Sequence, residues 1–159
     1  MLIESETKSP EIRSIEAKSA EVKGEDLQKK LEAVIAGTPF ASLLGAKVLA
    51  VSPGNVELAV DVRRDITQHH GFVHGAVLGF VADSACTWAA GSVVGDVVTL
   101  EYKLHFLSPA VGDRIVGRGR VIKASPRIVV AQGDIYSVKN GAEKLVAIAL
   151  ATIVKFDRR

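Results

Sequence analysis

Three of the four histidines, His69, His70 and His74, fall within six residues of one another, at the mouth of a long apolar stretch. That stretch reads QHHGFVHGAVLGFVADSACTWAA, residues 68–90, and it holds a single charged side chain, Asp83. Placed on a helix from Gly75 to Ala90 at 100° per residue, apolar side chains fall on every side, which predicts burial all round. Asp83 shares a face with Ala76, Gly79, Cys86, Thr87 and Ala90. No Lys or Arg on the helix answers it, and an unanswered carboxylate in apolar surroundings costs several kcal/mol. Two readings follow. Asp83 is a structural group that caps a loop or pairs with a backbone amide or a strand arginine, or it is a general base or nucleophile.

The start of the same helix, His74-Gly75-Ala76, adds a second chemical feature. Free amides at a helix N-terminus bind anions and polarise carbonyl oxygens, and Gly75 lets a ligand approach the backbone. These are the parts of an oxyanion hole. Eight residues separate Gly75 from Asp83, about 12 Å along a helix axis. One carbonyl carbon cannot touch both groups on one helix. If they serve one reaction they come from two chains whose helices run antiparallel near a two-fold axis, so catalysis at these residues entails a dimer.

The remaining titratable groups point to less. The three histidines have no Cys or acidic neighbour at ligand spacing, so the expectation is no metal, with one histidine serving the site and the others facing a loop or solvent. Cys86 reads as a core residue. Arg118, Arg120, Lys123 and Arg127 gather around Ser125-Pro126, either as a solvated face or as a contact for phosphates.

The elements that must position these groups are legible from periodicity. Residues 25–36 place Leu27, Leu31, Val34 and Ile35 at helical spacing, and Gly37-Thr38-Pro39 stops that helix. From residue 46 the period changes to two. Residues 47–62 read as two strands around the turn Ser52 to Asn55. Residues 97–110, 113–125, 127–140 and 144–156 read as four more, with Asn140-Gly141 a strong hairpin signal. Strands on either side of one apolar helix, without βαβ alternation, predict an α+β fold with an antiparallel sheet wrapped around that helix.

Composition narrows the function classes. A chain of 159 residues with 48% apolar and 24% charged residues suits one core of ordinary size, expected over residues 25–159. Residues 1–24 alternate acids and bases with few large apolar groups and read as a charged N-terminal extension, flexible or docked. A net charge of +2 and few aromatic residues argue against nucleic acid. The longest apolar run, residues 76–82, is too short for a bilayer. One cysteine excludes an intrachain disulfide, and the first residues lack an apolar signal core, so the cytoplasm is the expected compartment.

With those residues in view, the segment from Gln68 to Ala90 resembles the signature of the hotdog-fold acyl-CoA thioesterases, the PaaI-like branch that also holds the hydroxybenzoyl-CoA thioesterase type. The pattern is Asn or Gln, then Gly, then His-Gly-Gly, then Asp or Glu nine residues after the His. Gln68, Gly71, His74-Gly75-Ala76 and Asp83 occupy it. LHFLSPAVGD, residues 104–113, resembles the family's strand ending in Pro before a turn. The likeness runs from about residue 38 to 157.

The resemblance implies a hotdog fold, pairing into dimers and often tetramers as dimers of dimers, and hydrolysis of a thioester to free acid and coenzyme A. It implies Asp83 as base or nucleophile and the Gly75 amide as donor to the thioester oxygen. Gln68 and His74 would orient the thioester or the water, Thr87 would steady the attacking water, and Thr99 matches a strand hydroxyl used in other members. Ala76 and Gly71 would border the bound substrate. The basic cluster would meet the phosphates of coenzyme A, which is part of the substrate, so no separate cofactor is implied. Ala76 departs from the second Gly of the pattern and adds a methyl near the oxyanion hole. Gln68 matches the aryl-CoA branch and Asp83 the PaaI branch, so the acyl class stays open. Two other functions remain: a hotdog dehydratase or hydratase, and a non-catalytic acyl-CoA-binding protein.

Overall fold

The computed structural model describes residues 26–156; the charged leader expected over residues 1–24 lies outside them. Helix α1 covers residues 26–36. Pro39 then starts a short second helix, α2 (Pro39–Leu44), rather than only ending the first. Proline suits the first turn of a helix because no intrahelical bond is lost there, and Gly45 closes α2 in the left-handed region at φ 67°. Strands β1 (Lys47–Ser52) and β2 (Asn55–Asp61) follow. A 3-10 turn over Arg64–Ile66 leads into α3 (Gly75–Val94). Four strands complete the chain: β3 (Val97–Phe106), β4 (Arg114–Ala124), β5 (Ile128–Lys139) and β6 (Ala142–Lys155).

All strand pairs are antiparallel, in the order β1-β2-β4-β5-β6-β3. The Asn140-Gly141 hairpin has φ 51° and 81° at its two central residues, the double positive φ of a type I′ turn. β3 follows α3 directly in sequence yet pairs with the last strand, which leaves β3 on one edge and β1 on the other.

The sheet curls over α3. Inward residues of alternating strands, among them Leu58, Val60, Ile115, Ile135 and Val146, are fully buried with Val81, Ala82, Ala85 and Ala89 of the helix. Each fully buried Leu or Ile contributes about 1.5–3 kcal/mol. The approach is closest at β4. A Cβ on Gly119 would lie 1.9 Å from the carbonyl oxygen of Ala85, and one on Gly117 would lie 2.5 Å from Cγ1 of Val81. Two glycines at period two therefore set the depth at which the helix seats.

Burial of α3 is not uniform, contrary to the expectation from its all-round apolar pattern. Ala76 is exposed, and Phe80, Asp83, Thr87 and Gly91 are half-buried along one stripe. The sheet covers one side of the helix only. α1 and α2 cover part of the other, with Phe40 of α2 meeting Phe80 edge to face at 5.4 Å. By length and composition α3 could span a bilayer, but it is the core helix, with more than half of it buried inside the fold.

Candidate active site

Asp83 lies on the half-buried stripe of α3, and two hydroxyls answer its charge. Thr99 Oγ1 of β3 donates to Asp83 Oδ1 at 2.6 Å, and Thr87 Oγ1, one turn along the helix, is 3.3 Å from the same oxygen. The two hydroxyls are 2.8 Å apart. Each has one proton. Thr99 spends its proton on the short bond to Asp83, so Thr87 donates to Thr99, and the three groups form a chain ending on Oδ1. Oδ2 receives no hydrogen bond from the described residues. The carboxylate is thus held by one oxygen and open at the other. The partners are hydroxyls, where sequence alone suggested a backbone amide, a loop or a strand arginine. Thr87 acts on Asp83 through Thr99, with its own oxygen 3.3 Å from Oδ1.

The helix start is equally selective. His74 is the N-cap, with ψ 138°, and its ring Nδ1 accepts the Ala76 N–H at 3.0 Å. An accepting Nδ1 places the ring proton on Nε2. The Val77 and Leu78 amides both turn back to the His74 carbonyl, at 2.9 and 3.4 Å. Of the first amides of α3, only the Gly75 N–H has no partner among the described residues. Ala76 itself is exposed.

A cleft of about 450 Å³ opens at this amide. Gln68, Phe72, Gly75, Leu78, Phe106 and Pro109 border it. Gln68 is anchored through its backbone: its N–H donates to the Phe72 carbonyl at 2.8 Å, and its carbonyl accepts the Gly71 N–H at 2.8 Å. Gly71 makes that turn possible at φ 79°. Phe106 was not among the residues singled out by sequence. A Cβ on Gly75 would lie 3.3 Å from its ring, so this ring, like the ligand approach argued above, favours glycine at position 75. Its signal was the apolar end of β3 just before Ser108-Pro109.

The His69 and His70 rings lie against each other with centroids 3.9 Å apart and planes tilted by 45°, and the described residues contain no group of three His, Cys, Asp or Glu able to hold a metal ion. Cys86 is fully buried, and burial, helped by the charges of Asp83 and Asp134, pushes its thiol up to about 12.

The same fold occurs in known structures. A thioesterase family protein from Silicibacter pomeroyi is 36% identical, covers 80% of this chain and 96% of its own, and superposes with a TM-score of 0.77. The family model described as thioesterase superfamily matches residues 70–144, the segment that starts just before the Gly75 amide and contains Asp83, Thr87 and Thr99. The chain belongs to the thioesterase superfamily. Among its structural relatives, a mutant of the phenylacetic acid degradation protein PaaI from Thermus thermophilus is 32% identical, covers 75% of this chain and 100% of its own, with a TM-score of 0.67. The PaaI protein from the phenylacetic acid degradation operon of E. coli, at 21% identity and a TM-score of 0.76, covers 84% of this chain and 96% of its own and shares the fold. This thioesterase-superfamily chain is therefore a PaaI-like hotdog protein, α+β with its antiparallel sheet around one long helix.

Within one chain the fold brings Asp83, Thr87 and Thr99 together, and separately Gln68, His74 and Gly75. It does not bring the basic cluster to either group. Gly117 and Gly119 face α3, so Arg118 and Arg120, alternating with them, lie on the opposite face of the sheet. Arg118 is committed there to Glu143 at 2.7 Å and Glu57 at 3.2 Å, over the ring of Tyr136. These carboxylates raise the Arg118 guanidinium further, and in return Arg118 lowers the carboxyl of Glu143. Arg120 donates to Gln132 at 2.7 Å. Lys123 and Arg127 are exposed, and no ion pair to either occurs among the described residues.

Proposed function

We propose that this protein hydrolyses acyl-CoA thioesters, with Asp83 as base or nucleophile and the Gly75 amide of a second copy holding the oxyanion. The observation that carries the reading is the pairing of one unsatisfied amide with one half-satisfied carboxylate on a single helix, about 12 Å apart along its axis. The thioester oxygen docks on the Gly75 N–H, where developing negative charge is held without reorganisation. Asp83 Oδ2 takes the proton of an attacking water, or attacks the carbonyl carbon itself to form a mixed anhydride that water then cleaves; in either route the C–S bond breaks and the coenzyme A thiolate leaves and takes up a proton. Gln68, which borders the docking cleft, and the Nε2–H of the exposed His74 beside Gly75 orient the thioester. Beyond the acyl-CoA and water the reading requires no metal or separate cofactor, and Lys123 and Arg127, exposed but away from both groups within one chain, reach its phosphates only if the second copy brings them to the site.

The edge of the sheet supports the required pairing of two copies. β3 pairs with β6 on one side only, and Val98, Leu100, Tyr102 and Phe106 on it are 40–64% exposed. An unpaired edge strand that exposes large apolar side chains between its charged ones can pair with another chain. The level of the two-fold axis follows from arithmetic. Antiparallel copies align residue 75 of one helix with residue 83 of the other when the axis passes level with residue 79. The Tyr102 hydroxyl lies against Gly79, 3.2 Å from where its Cβ would be, and Tyr102 is at the middle of β3. Antiparallel pairing of two β3 strands centred near Tyr102 therefore matches each Gly75 to its partner's Asp83.

The test is thiol release from a panel of aryl and aliphatic acyl-CoA esters, alongside light scattering of wild type and Leu100→Lys. Turnover by a dimer or larger assembly, lost together with assembly in Leu100→Lys, is the expected result. A fully active monomer sinks the two-chain site, and tight binding without turnover favours a non-catalytic acyl-CoA binder.

A further inference from the structure

Gly75, Gly79 and Asp83 follow one another at four-residue intervals on α3, so Gly79 lies about 6 Å along the axis from each of the other two. Glycine in mid-helix is less stable than alanine, and at this position it makes room for a phenol. Tyr102 stands on β3 directly opposite the buried Ala151 of β6, so its ring turns inward to the helix. Its hydroxyl comes 3.2 Å from where a Cβ on Gly79 would be. That hydroxyl makes no hydrogen bond among the described residues, although a phenol tip set against a helix ordinarily finds a partner. An uncommitted donor therefore lies midway between the free amide and the half-satisfied carboxylate.

We propose that the Tyr102 hydroxyl donates a hydrogen bond to the thioester sulfur and holds the negative charge that gathers there as the C–S bond breaks. The proposal rests on the thioester hydrolysis proposed above and adds a leaving-group donor to it. Three atoms of that reaction change charge: the attacking oxygen, the carbonyl oxygen and the sulfur. Asp83 Oδ2, an acceptor, serves the first, and the Gly75 N–H serves the second. Gln68 and His74 precede α3, so they stand at its Gly75 end, away from Gly79. In the antiparallel pair both helices pass the two-fold axis level with residue 79. Each Tyr102 hydroxyl then lies about 6 Å along the axis from a paired amide and carboxylate. A thioester bridging that pair brings its sulfur, bonded to the same carbon as the oxygen, within reach of the phenol. When the C–S electron pair moves onto sulfur, Tyr102 keeps its own proton and hydrogen-bonds the thiolate, which then takes up a proton from solvent. A hydrogen bond to a charged group is worth about tenfold to a hundredfold in rate.

The experiment compares Tyr102→Phe with wild type on two thioesters of one acid, the coenzyme A ester and the 4-nitrothiophenyl ester. A thiol of low pKa leaves faster, so the nitrothiophenolate departs with little help, whereas the alkyl thiolate of coenzyme A gains from a donor. The ratio of kcat/KM for the coenzyme A ester over the aryl ester is expected to fall about tenfold or more in Tyr102→Phe. Equal loss on both esters, or no loss on either, overturns the proposal. A second readout needs no turnover. Coenzyme A itself is bound, and its thiol is titrated by the ultraviolet absorbance of the thiolate, with each protein alone as the blank. A donor at the sulfur favours the thiolate, so the bound thiol should titrate about one pH unit lower in wild type than in Tyr102→Phe. Equal titration in the two proteins also overturns the proposal. If wild type releases no thiol from any ester, the hydrolytic reading falls, while the titration still decides the bond to sulfur. A wild type that neither hydrolyses an ester nor binds coenzyme A overturns both.

Discussion

The two faces of α3 are built to opposite specifications. One face, through Val81, Ala82, Ala85 and Ala89, is fully buried against the sheet, approaches β4 so closely that only glycine fits at 119, and carries no charge. The other face, through Ala76, Asp83, Thr87 and Gly91, is half-open, and its carboxylate is satisfied at one oxygen only. The same backbone serves both because they are separated by rotation about one axis. Close packing on the first face fixes where the helix lies, and that fixed position lets the second face keep a cavity, an open oxygen and a free amide without collapsing. Chemistry and stability are therefore separable on this helix, and substitutions on the two faces should fail in different ways.

The packing face gives the largest expected effect. Gly119→Ala puts a methyl into the Ala85 carbonyl, where backbone and not a flexible side chain must move, and should cost about 3 kcal/mol or more. Thermal denaturation reads this as a strongly lowered Tm or as insoluble protein. A Tm near wild type would show that the helix seat is looser than the geometry indicates. On the open face, Asp83→Asn keeps shape and hydroxyl partners but removes the proposed base or nucleophile. It should lower kcat by about 10²–10⁴-fold with little change in Tm. Loss of folding in this variant would mean that Asp83 belongs to the structural half of the comparison.

Gly75→Pro removes the free amide without removing the helix. Proline is tolerated at the first helical position, and His74, at ψ 138°, already has the backbone proline requires of its predecessor. The exposed ring of Phe106 must give way slightly. The expected loss is about 10²–10³-fold in kcat, with circular dichroism unchanged. Mixing this variant with Asp83→Asn should restore activity in heterodimers that keep one intact site, and no restoration would argue that the two groups do not serve one shared site. Thr99→Val is the smallest step. It removes the 2.6 Å bond to Oδ1 and lets the carboxylate turn, for about a tenfold loss in kcat with KM little changed and recovery in Thr99→Ser. Equal loss in the serine variant would assign the effect to packing.

Periodicity was sufficient for the strands because it is a local property: alternation marked all six within a few residues of their ends, and Asn140-Gly141 carries its own turn chemistry. The restart of a helix at Pro39 was not read, since Thr38-Pro39 looks the same whether it ends one helix or begins another. The half-open stripe of α3 was not visible either. An apolar pattern reports what a helix tolerates, while coverage depends on how far the sheet curls. Phe106 and the glycines of β4 carried weak signals, an apolar strand end and a two-residue glycine spacing, whose meaning depends on what lies opposite.

By itself the sequence determined the elements, the enclosed helix and the chemical kinds at residues 68–90, because residue type and spacing along one element are enough for those. It also determined that Gly75 and Asp83 cannot meet on one helix, since the rise per residue is a constant of the helix. Only the tertiary structure decided that two hydroxyls, one of them from β3, hold Asp83 by a single oxygen, that His74 takes the Ala76 amide and leaves Gly75 free, and that Tyr102 sets its hydroxyl against Gly79 between the two. Each of these depends on atoms far apart in the chain, and their distances are set by how closely the helix and the sheet pack.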